Sequence, residues 1–358
     1  MSSIWGKRIK ISIFGESHGP AIGVVIDGFP AGVKIDEAYI KSQMQRRAPG
    51  GDNFSTRRNE ADEPVIQSGV FNGRTTGAPV CALIQNADTH SGDYADLAGK
   101  PRPGHADYTG QVRYGGFNDP RGGGHFSGRL TAPMVFAGAL CKLALKEKGI
   151  TIGAHILQIG EIHDDAFDVI NETELEKLAA SRFSVLNKKK EEEMRALIWE
   201  TSQNKDSIGG VVQCAAIGLK AGIGNPIFDS IESSIASFMF SIPAVKGVEF
   251  GAGFKAAEMK GSQHNDSFDM KDGKVVTLTN NAGGVLGGIS TGMPIVFNVA
   301  FKPTASIYLP QKTVDLNLLT SAEIEIKGRH DPCIVPRAVP VVEAGCAISL
   351  LDLLESEE

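Results

Sequence analysis

Four of the eight histidines in this chain lie in glycine-rich or charged segments: Gly15-Glu16-Ser17-His18-Gly19, Arg102-Pro103-Gly104-His105-Ala106-Asp107, Gly122-Gly123-Gly124-His125-Phe126-Ser127 and Gly328-Arg329-His330-Asp331. Each imidazole comes with glycines that let backbone approach a ligand, and with an acid, a base or a hydroxyl. That set reads as a site for an anionic small molecule with proton transfer, and it predicts an enzyme. An imidazole can donate a proton near neutrality because its unperturbed pKa is about 6.5. His18 and His105 are the natural donors, and Asp331 can accept a proton or pass it on. His90, His155, His163 and His264 lack such settings and read as structural or surface residues. No H-x-x-x-H or H-E-x-x-H spacing is present, so no metal is expected, although ligands from distant loops stay open.

Two patterns suit the anion itself. Gln45-Arg46-Arg47-Ala48-Pro49-Gly50-Gly51, with Arg57-Arg58 soon after, gathers guanidinium forks around a turn, and Arg102 and Arg113 bracket His105. Such forks bind phosphate and carboxylate bidentately, although a basic helix end capping its own dipole has the same composition. Gly283–Ser290 followed by Lys302-Pro303-Thr304-Ala305-Ser306 offers backbone N–H groups, one ammonium and two hydroxyls. Tight strand turns account for that glycine run equally well. It has neither the G-x-x-x-x-G-K-[ST] order of a P-loop nor the strand-linked G-x-G-x-x-G of a dinucleotide fold.

The elements that must position these residues follow from hydrophobic patterning. Val- and Ile-rich runs predict strands at Ile9–Phe14, Gly23–Asp27, Pro79–Gln85, Gly210–Ile217, Lys274–Thr279 and Pro294–Phe301. Helices are predicted at Asp36–Arg46, Leu130–Lys148, Thr173–Ala180, Lys189–Gln203, Phe228–Phe240 and Val339–Leu354. The Leu130–Lys148 stretch is apolar nearly all round and belongs in the interior. Lys188–Glu193 reads as a solvated helix face.

The chain also resembles itself. Thr75-Thr76-Gly77-Ala78-Pro79-Val80 matches Ser290-Thr291-Gly292-Met293-Pro294-Ile295, and Ile22–Ile26 matches Ile208–Val212. The helix with Pro133 and Ala137-Gly138-Ala139 parallels the one with Pro340 and Ala344-Gly345-Cys346. We expect one domain of two related halves, about 9–150 and 205–354, around a pseudo-two-fold axis that tends to place a site between them.

Composition excludes several classes. A net charge of −6 argues against a nucleic-acid coat, and the N-terminal residues lack the apolar core of a signal peptide. No run approaches the ~20 apolar residues of a membrane helix. Five scattered cysteines without a C-x-x-C pair point to neither a disulfide framework nor structural zinc. A cytoplasmic protein without a membrane partner is expected. The outlier is glycine, 42 of 358 residues, which predicts many tight turns and ligand-hugging loops.

Taken together, these segments resemble the chorismate synthase family. The likeness runs from Gly15–Gly19 through Ser68–Gly73, Thr75–Gly77, Arg102–Tyr108, Gly122–Arg129, Val245–Glu249, Gly283–Gly292 and Lys302–Ser306 to Arg329–Cys333 and Arg337–Pro340. It covers nearly the whole chain apart from residues 164–205, which we read as a variable helical insertion. The resemblance implies an α+β fold, a β-α-β sandwich in a single domain, usually assembled as a homotetramer. The implied activity is that of a carbon–oxygen lyase: 1,4-anti elimination of phosphate from 5-enolpyruvylshikimate 3-phosphate to give chorismate. This last step of the shikimate pathway, leading to aromatic amino acids, requires reduced FMN although it is redox-neutral.

Carried over residue by residue, His18 protonates the departing phosphate with Ser17 beside it, His105 holds or protonates the reduced flavin, and Asp331 relays a proton. Arg46, Arg47, Arg57 and Arg102 are the implied substrate clamp. His125, Phe126, Ser127, Pro243, Ala244, Gly287, Lys302, Pro303, Thr304, Ala305, Ser306 and Arg329 are the implied FMN contacts, Arg329 also reaching substrate. The chain departs from the commonest family pattern at several points. His125-Phe126 replaces an arginine–serine pair, Leu130 replaces a glutamate that would partner Arg129, Pro243 replaces asparagine, and a basic residue is missing around Asn53. Some members reduce their own flavin with NADPH. Without a dinucleotide fingerprint, this chain is expected to be monofunctional and to depend on an external flavin reductase.

Two rivals make distinct predictions. A small-molecule kinase needs a P-loop lysine and paired acidic metal ligands, which do not stand out. A non-catalytic flavin- or phosphate-binding protein needs an anion pocket but no acids or bases, leaving His18, His105 and Asp331 without a purpose.

Overall fold

The structure is a computed structural model that describes residues 3–50, 60–87, 99–326 and 330–357. The helices are α1 (Glu37–Arg47), α2 (Asp107–Arg113), α3 (Thr131–Glu147), α4 (Glu172–Ala179), α5 (Lys188–Gln203), α6 (Ile231–Met239), α7 (Gly261–His264) and α8 (Val335–Glu357). Two five-stranded antiparallel sheets enclose a helical layer, the arrangement of a β-α-β sandwich. The first sheet runs Ile4–Trp5, Lys10–Gly15, Ala21–Asp27, Val80–Gln85, Pro64–Ser68. The second runs Val245–Phe250, Ile295–Phe301, Gly210–Ile217, Thr151–Ile159, Ile162–His163. Inward-facing Ile11, Ile13, Ile22, Val24, Ile26 and Ile84 alternate along the first sheet, as a one-face-buried strand requires.

α3 packs on the first sheet, α8 on the second, and the two helices pack on each other. Both are apolar on all sides because each is covered on all sides. The segment Gly128–Glu147 has the length and hydropathy of a membrane span, but it lies inside this fold. A methyl group at Gly138 would stand 2.2 Å from the Ala344 side chain, so glycine is what lets these backbones approach. Gly345, in the matching helix, gives the same clearance to Phe238 and Met239 of α6.

The layer carries charge as well as hydrocarbon. Glu343, fully buried on α8, accepts from both Arg46 Nη atoms at 2.7 and 2.9 Å, from Lys142 Nζ and from the Ala154 amide at 3.1 Å. Burial alone would raise this carboxyl, yet the two cations hold it down to about 2. At the far end of α8, Asp352 Oδ1 accepts from the backbone N–H groups of Lys7, Arg8 and Ile9 at 3.0, 2.7 and 2.7 Å. α4 and α5 fill residues 164–205. They are tied down by Asp164, which accepts from the amides of Leu186 and Asn187 and from buried His155. His163 is exposed and His264 partly so, while His90 lies outside the described residues.

Candidate active site

A cavity of about 930 Å³ opens where the helical layer ends. The first turns of α3 and α8 both reach it, through Leu130, Thr131 and Met134 and through Ile334, Arg337 and Ala338. Both helices turn the positive end of the macrodipole to it, so this wall favours an anion. Ile11, Ile13, Phe126, Met134 and Val341 give it an apolar side, while Arg102, Lys246 and Lys302 add cations. A flat ring carrying phosphate or carboxylate matches that division.

A run of three glycines brings two histidines to the wall. Gly122, Gly123 and Gly124 all adopt positive φ, at 61°, 91° and 54°. A Cβ at Gly122 would fall 2.5 Å from the Cδ2 and Nε2 of His18 and 2.9 Å from Ser17 Oγ. One at Gly123 would fall 3.2 Å from the Cε1 and Nε2 of His105. Glycine is needed at both positions for the φ angle and for the space. The Ser17 amide donates to the Gly124 carbonyl at 3.1 Å, and His125 Nδ1 donates to the Gly15 carbonyl at 2.8 Å, binding the two loops together. Ser17 Oγ is buried without a hydrogen-bond partner among the described residues, an unspent donor beside His18.

His105 is held by an acid two residues along. Its Nδ1 lies 2.6 Å from Asp107 Oδ1, whose carboxylate also accepts from Arg102 Nε at 2.7 Å and Nη2 at 2.8 Å. Burial would raise the Asp107 carboxyl, but hydrogen bonds and charge from Arg102 and His105 together hold it well below the usual range. Arg102 Nη1 reaches Ser306 Oγ at 3.2 Å, so the loop after the first sheet meets the loop leaving the second.

Arg47, Arg129 and Arg337 are internally balanced. Arg47 donates to Thr131 Oγ1 at 3.0 Å, Asp62 Oδ2 at 2.5 Å and the Gly128 carbonyl at 3.0 Å. Arg129 pairs with the other oxygen of Asp62 and with Glu60 at 3.0 Å. Burial would raise Asp62, but Arg47 and Arg129 keep it ionised and low. Glu60 and Asp62 therefore supply the partners that Leu130 cannot. Arg337 pairs with Asp331 at 2.5 Å and donates to the Arg47 carbonyl at 2.9 Å.

Lys302 differs from them. It is half-buried, and both its burial and the Lys246 ammonium nearby lower its pKa. Two close cations and the buried, unpartnered Thr304 Oγ1 form a place that a phosphate would complete. The residues present thus fit the phosphate and ring of a flavin mononucleotide.

Arg47, Arg102, His105, His125, Phe126, Ser127, Pro243, Ala244, Lys302, Thr304, Ala305, Ser306 and Asp331 all line the cavity. Ser17 and His18 stand behind Gly122, buried beneath the wall. One expectation needs correcting, and two further residues lie off this cavity. Arg46 is not part of a substrate clamp: it points about 100° round α1 from Arg47 and neutralises Glu343. Gly287 sits with Gly288 in a tight turn between Val285–Leu286 and Ile289–Ser290, both with positive φ, and neither Gly287 nor Pro303 lines the cavity. The Gly283–Ser290 run is a set of turns, since a Cβ at Gly283 or Gly284 would strike backbone at 2.5 or 2.4 Å. Arg57 and Arg329 lie outside the described residues, as does Asn53. Glu60, Tyr114, Arg129, Lys246 and Arg337 are wall residues, and Asp107 a residue behind His105, to which the sequence reading gave no role. Asp107, Arg129, Lys246 and Arg337 each had a usable signal, a place in a family-like segment, while Glu60 and Tyr114 had none.

Comparison with known proteins agrees with this geometry. The chorismate synthase family model matches residues 9–354. The chorismate synthase of Thermococcus gammatolerans is 49% identical over 350 residues, covering 98% of this chain and 96% of its own length. Those of Dehalococcoides mccartyi and Methanosarcina barkeri are each 47% identical, over 99% and 98% of this chain and 96% and 95% of theirs. A chorismate synthase crystal structure superposes with a TM-score of 0.76 at 31% identity, over 99% of this chain and 93% of that one. Matched over nearly its whole length in sequence and in fold, the chain belongs to the chorismate synthase family.

Proposed function

We propose that this cavity holds 5-enolpyruvylshikimate 3-phosphate beside reduced FMN, and that His18, Ser17, His105 and Asp331 move its protons. The chain is a carbon–oxygen lyase of the shikimate pathway, eliminating phosphate 1,4-anti to give chorismate. One observation supports the assignment of residues: the successive glycines Gly122 and Gly123 pack against the imidazoles of His18 and His105, and Gly122 and His105 line the cavity.

Arg102 and the helix N-termini bind the substrate anions, with Arg47 shaping the wall between them. His18 Nε2 gives its proton to the departing phosphate, and Ser17 Oγ supplies the hydrogen bond it does not make within the protein. Asp331, oriented by Arg337, receives on its carboxylate the proton that leaves C6. Lys302, Lys246 and Thr304 hold the flavin phosphate, and Phe126, Pro243, Ala244 and the 302–306 loop bound its ring. Bound there, reduced FMN supplies an electron-rich ring that stabilises the electron-poor allylic centre made by C–O cleavage. The apolar side keeps water from that centre.

The two sheet-and-helix units are read as one repeated unit. A cytoplasmic homotetramer fed by an external flavin reductase is the working state we assign. Anaerobic turnover with chemically reduced FMN, repeated with oxidised FMN plus NADPH, tests the reading. Chorismate with reduced FMN only is the expected result, and His18→Ala should keep flavin binding while losing turnover. No product from folded, flavin-binding protein, or full activity in His18→Ala, overturns it.

A further inference from the structure

His105 has two ring nitrogens, and only one can serve a ligand. Which one is settled by Asp107. An ionised carboxylate can only accept, so the 2.6 Å contact between His105 Nδ1 and Asp107 Oδ1 requires the proton on Nδ1. Nε2 is then the nitrogen turned to Gly123, where a Cβ would meet it at 3.2 Å. The same carboxylate grips Arg102 through Nε, Nη2 and the backbone N–H, at 2.7, 2.8 and 3.0 Å. Arg102 in turn reaches Ser306 in the loop leaving the second sheet. Asp107 is the first residue of α2, so its backbone is fixed by that helix.

We infer that Asp107 is a positioning residue: one carboxylate sets the tautomer of His105 and the direction of the Arg102 fork together. Neither task needs contact with substrate. A carboxylate behind a histidine fixes the ring's orientation, so Nε2 is presented at a constant place. Arg102 Nη2 lies 3.1 Å from Nδ1 and 3.4 Å from Nε2, and while Asp107 keeps the proton on Nδ1 the guanidinium cannot donate there. Removing the carboxylate while keeping its shape frees that guanidinium to donate to Nδ1. The proton then shifts to Nε2. The inference rests on the reading that His105 serves the bound ligands, but its first readout does not.

That readout is the imidazole nitrogen spectrum of 15N-histidine-labelled full-length protein, with the His105 signals assigned by comparison with His105→Gln. In the wild type the protonated nitrogen of neutral His105 is expected to be Nδ1, and in Asp107→Asn it is expected to be Nε2. Turnover should fall on the order of 10²-fold in kcat, the scale of a misaligned acid–base group, and KM should rise through Arg102. Asp107→Glu should restore the Nδ1–H tautomer and part of kcat, and it stands in if the asparagine variant does not fold. An Nε2–H wild type, or an Asp107→Asn spectrum and kcat like the wild type's, overturns the inference. Full activity in His105→Gln with the tautomer shift intact would instead overturn the role of His105 and leave the positioning by Asp107 standing.

Discussion

Replacing Gly122 with alanine adds one carbon at the point where His18 meets the cavity wall. That carbon would sit 2.5 Å from His18 Cδ2 and Nε2, whereas uncompressed carbon contacts lie near 3.5 Å. The imidazole must therefore retreat by about 1 Å, and a misplacement of that size costs about 10²-fold in rate. At 1.36 kcal/mol per tenfold, the barrier rises by about 2.7 kcal/mol. A separate cost falls on folding, because φ of 61° suits glycine and an alanine there loses roughly 1–2 kcal/mol. Gly73→Ala separates the two effects. Gly73 has φ of 70° with nothing within 4 Å of a new Cβ, so this variant should lose stability and no rate. The assay is anaerobic chorismate formation with reduced FMN, beside urea unfolding of both variants. A folded Gly122→Ala enzyme with kcat within threefold of wild type, when His18→Ala is inactive, would refute the claim that this glycine sets the position of His18.

Lys302→Met should raise the dissociation constant for FMN by about tenfold or more while leaving the unfolding midpoint within a few degrees, since the ammonium makes no buried ion pair among the described residues; flavin titration checks this. It should also weaken the preference for FMN over riboflavin, because only FMN carries the phosphate. Glu343→Gln leaves Arg46 and Lys142 buried without a counter-charge and should cost about 3–5 kcal/mol by urea unfolding. The folded pKa of Glu343 lies at about 2, below its ordinary value of 4.5. Its contribution is therefore complete above pH 4.5 and is lost as pH falls towards 2, so acid should narrow the gap between wild type and Glu343→Gln.

Much of the framework was legible in periodicity, and the failures have physical causes. All six predicted strands and all six predicted helices coincide with observed elements to within a few residues. The strand Thr151–Ile159 escaped, although it is central to the second sheet. It is covered on both faces, so it has no alternation, and His155 and Gln158 interrupt its apolar run. α2 escaped because it is one short exposed turn pair with no side-chain cap. The site was legible wherever a motif carries its own conformational demand, as at Gly122–Gly124 beside His125. Arg46 and Arg47 show the opposite case. They are neighbours in sequence but a helix turns about 100° per residue, so one meets Glu343 and the other meets Asp62 and the cavity. Nothing near Arg46 announces a counter-charge 297 positions away.

The hold of Asp352 on residues 7–9 has a consequence for biosynthesis. These partners are 343 positions apart at Ile9, and α8 fills the middle of the helical layer. A nascent chain delivers the first sheet long before the helix that must cover the second. Until α8 emerges, the inner face of the second sheet and the Gly138 side of α3 lie bare, an apolar surface open to chaperones or to misassembly. The opening strands meanwhile lack the carboxylate that gathers their amides. We therefore expect ribosome-bound chains stalled before α8 to be protease-sensitive throughout, with protection of both sheets arriving in one step when the last helix docks.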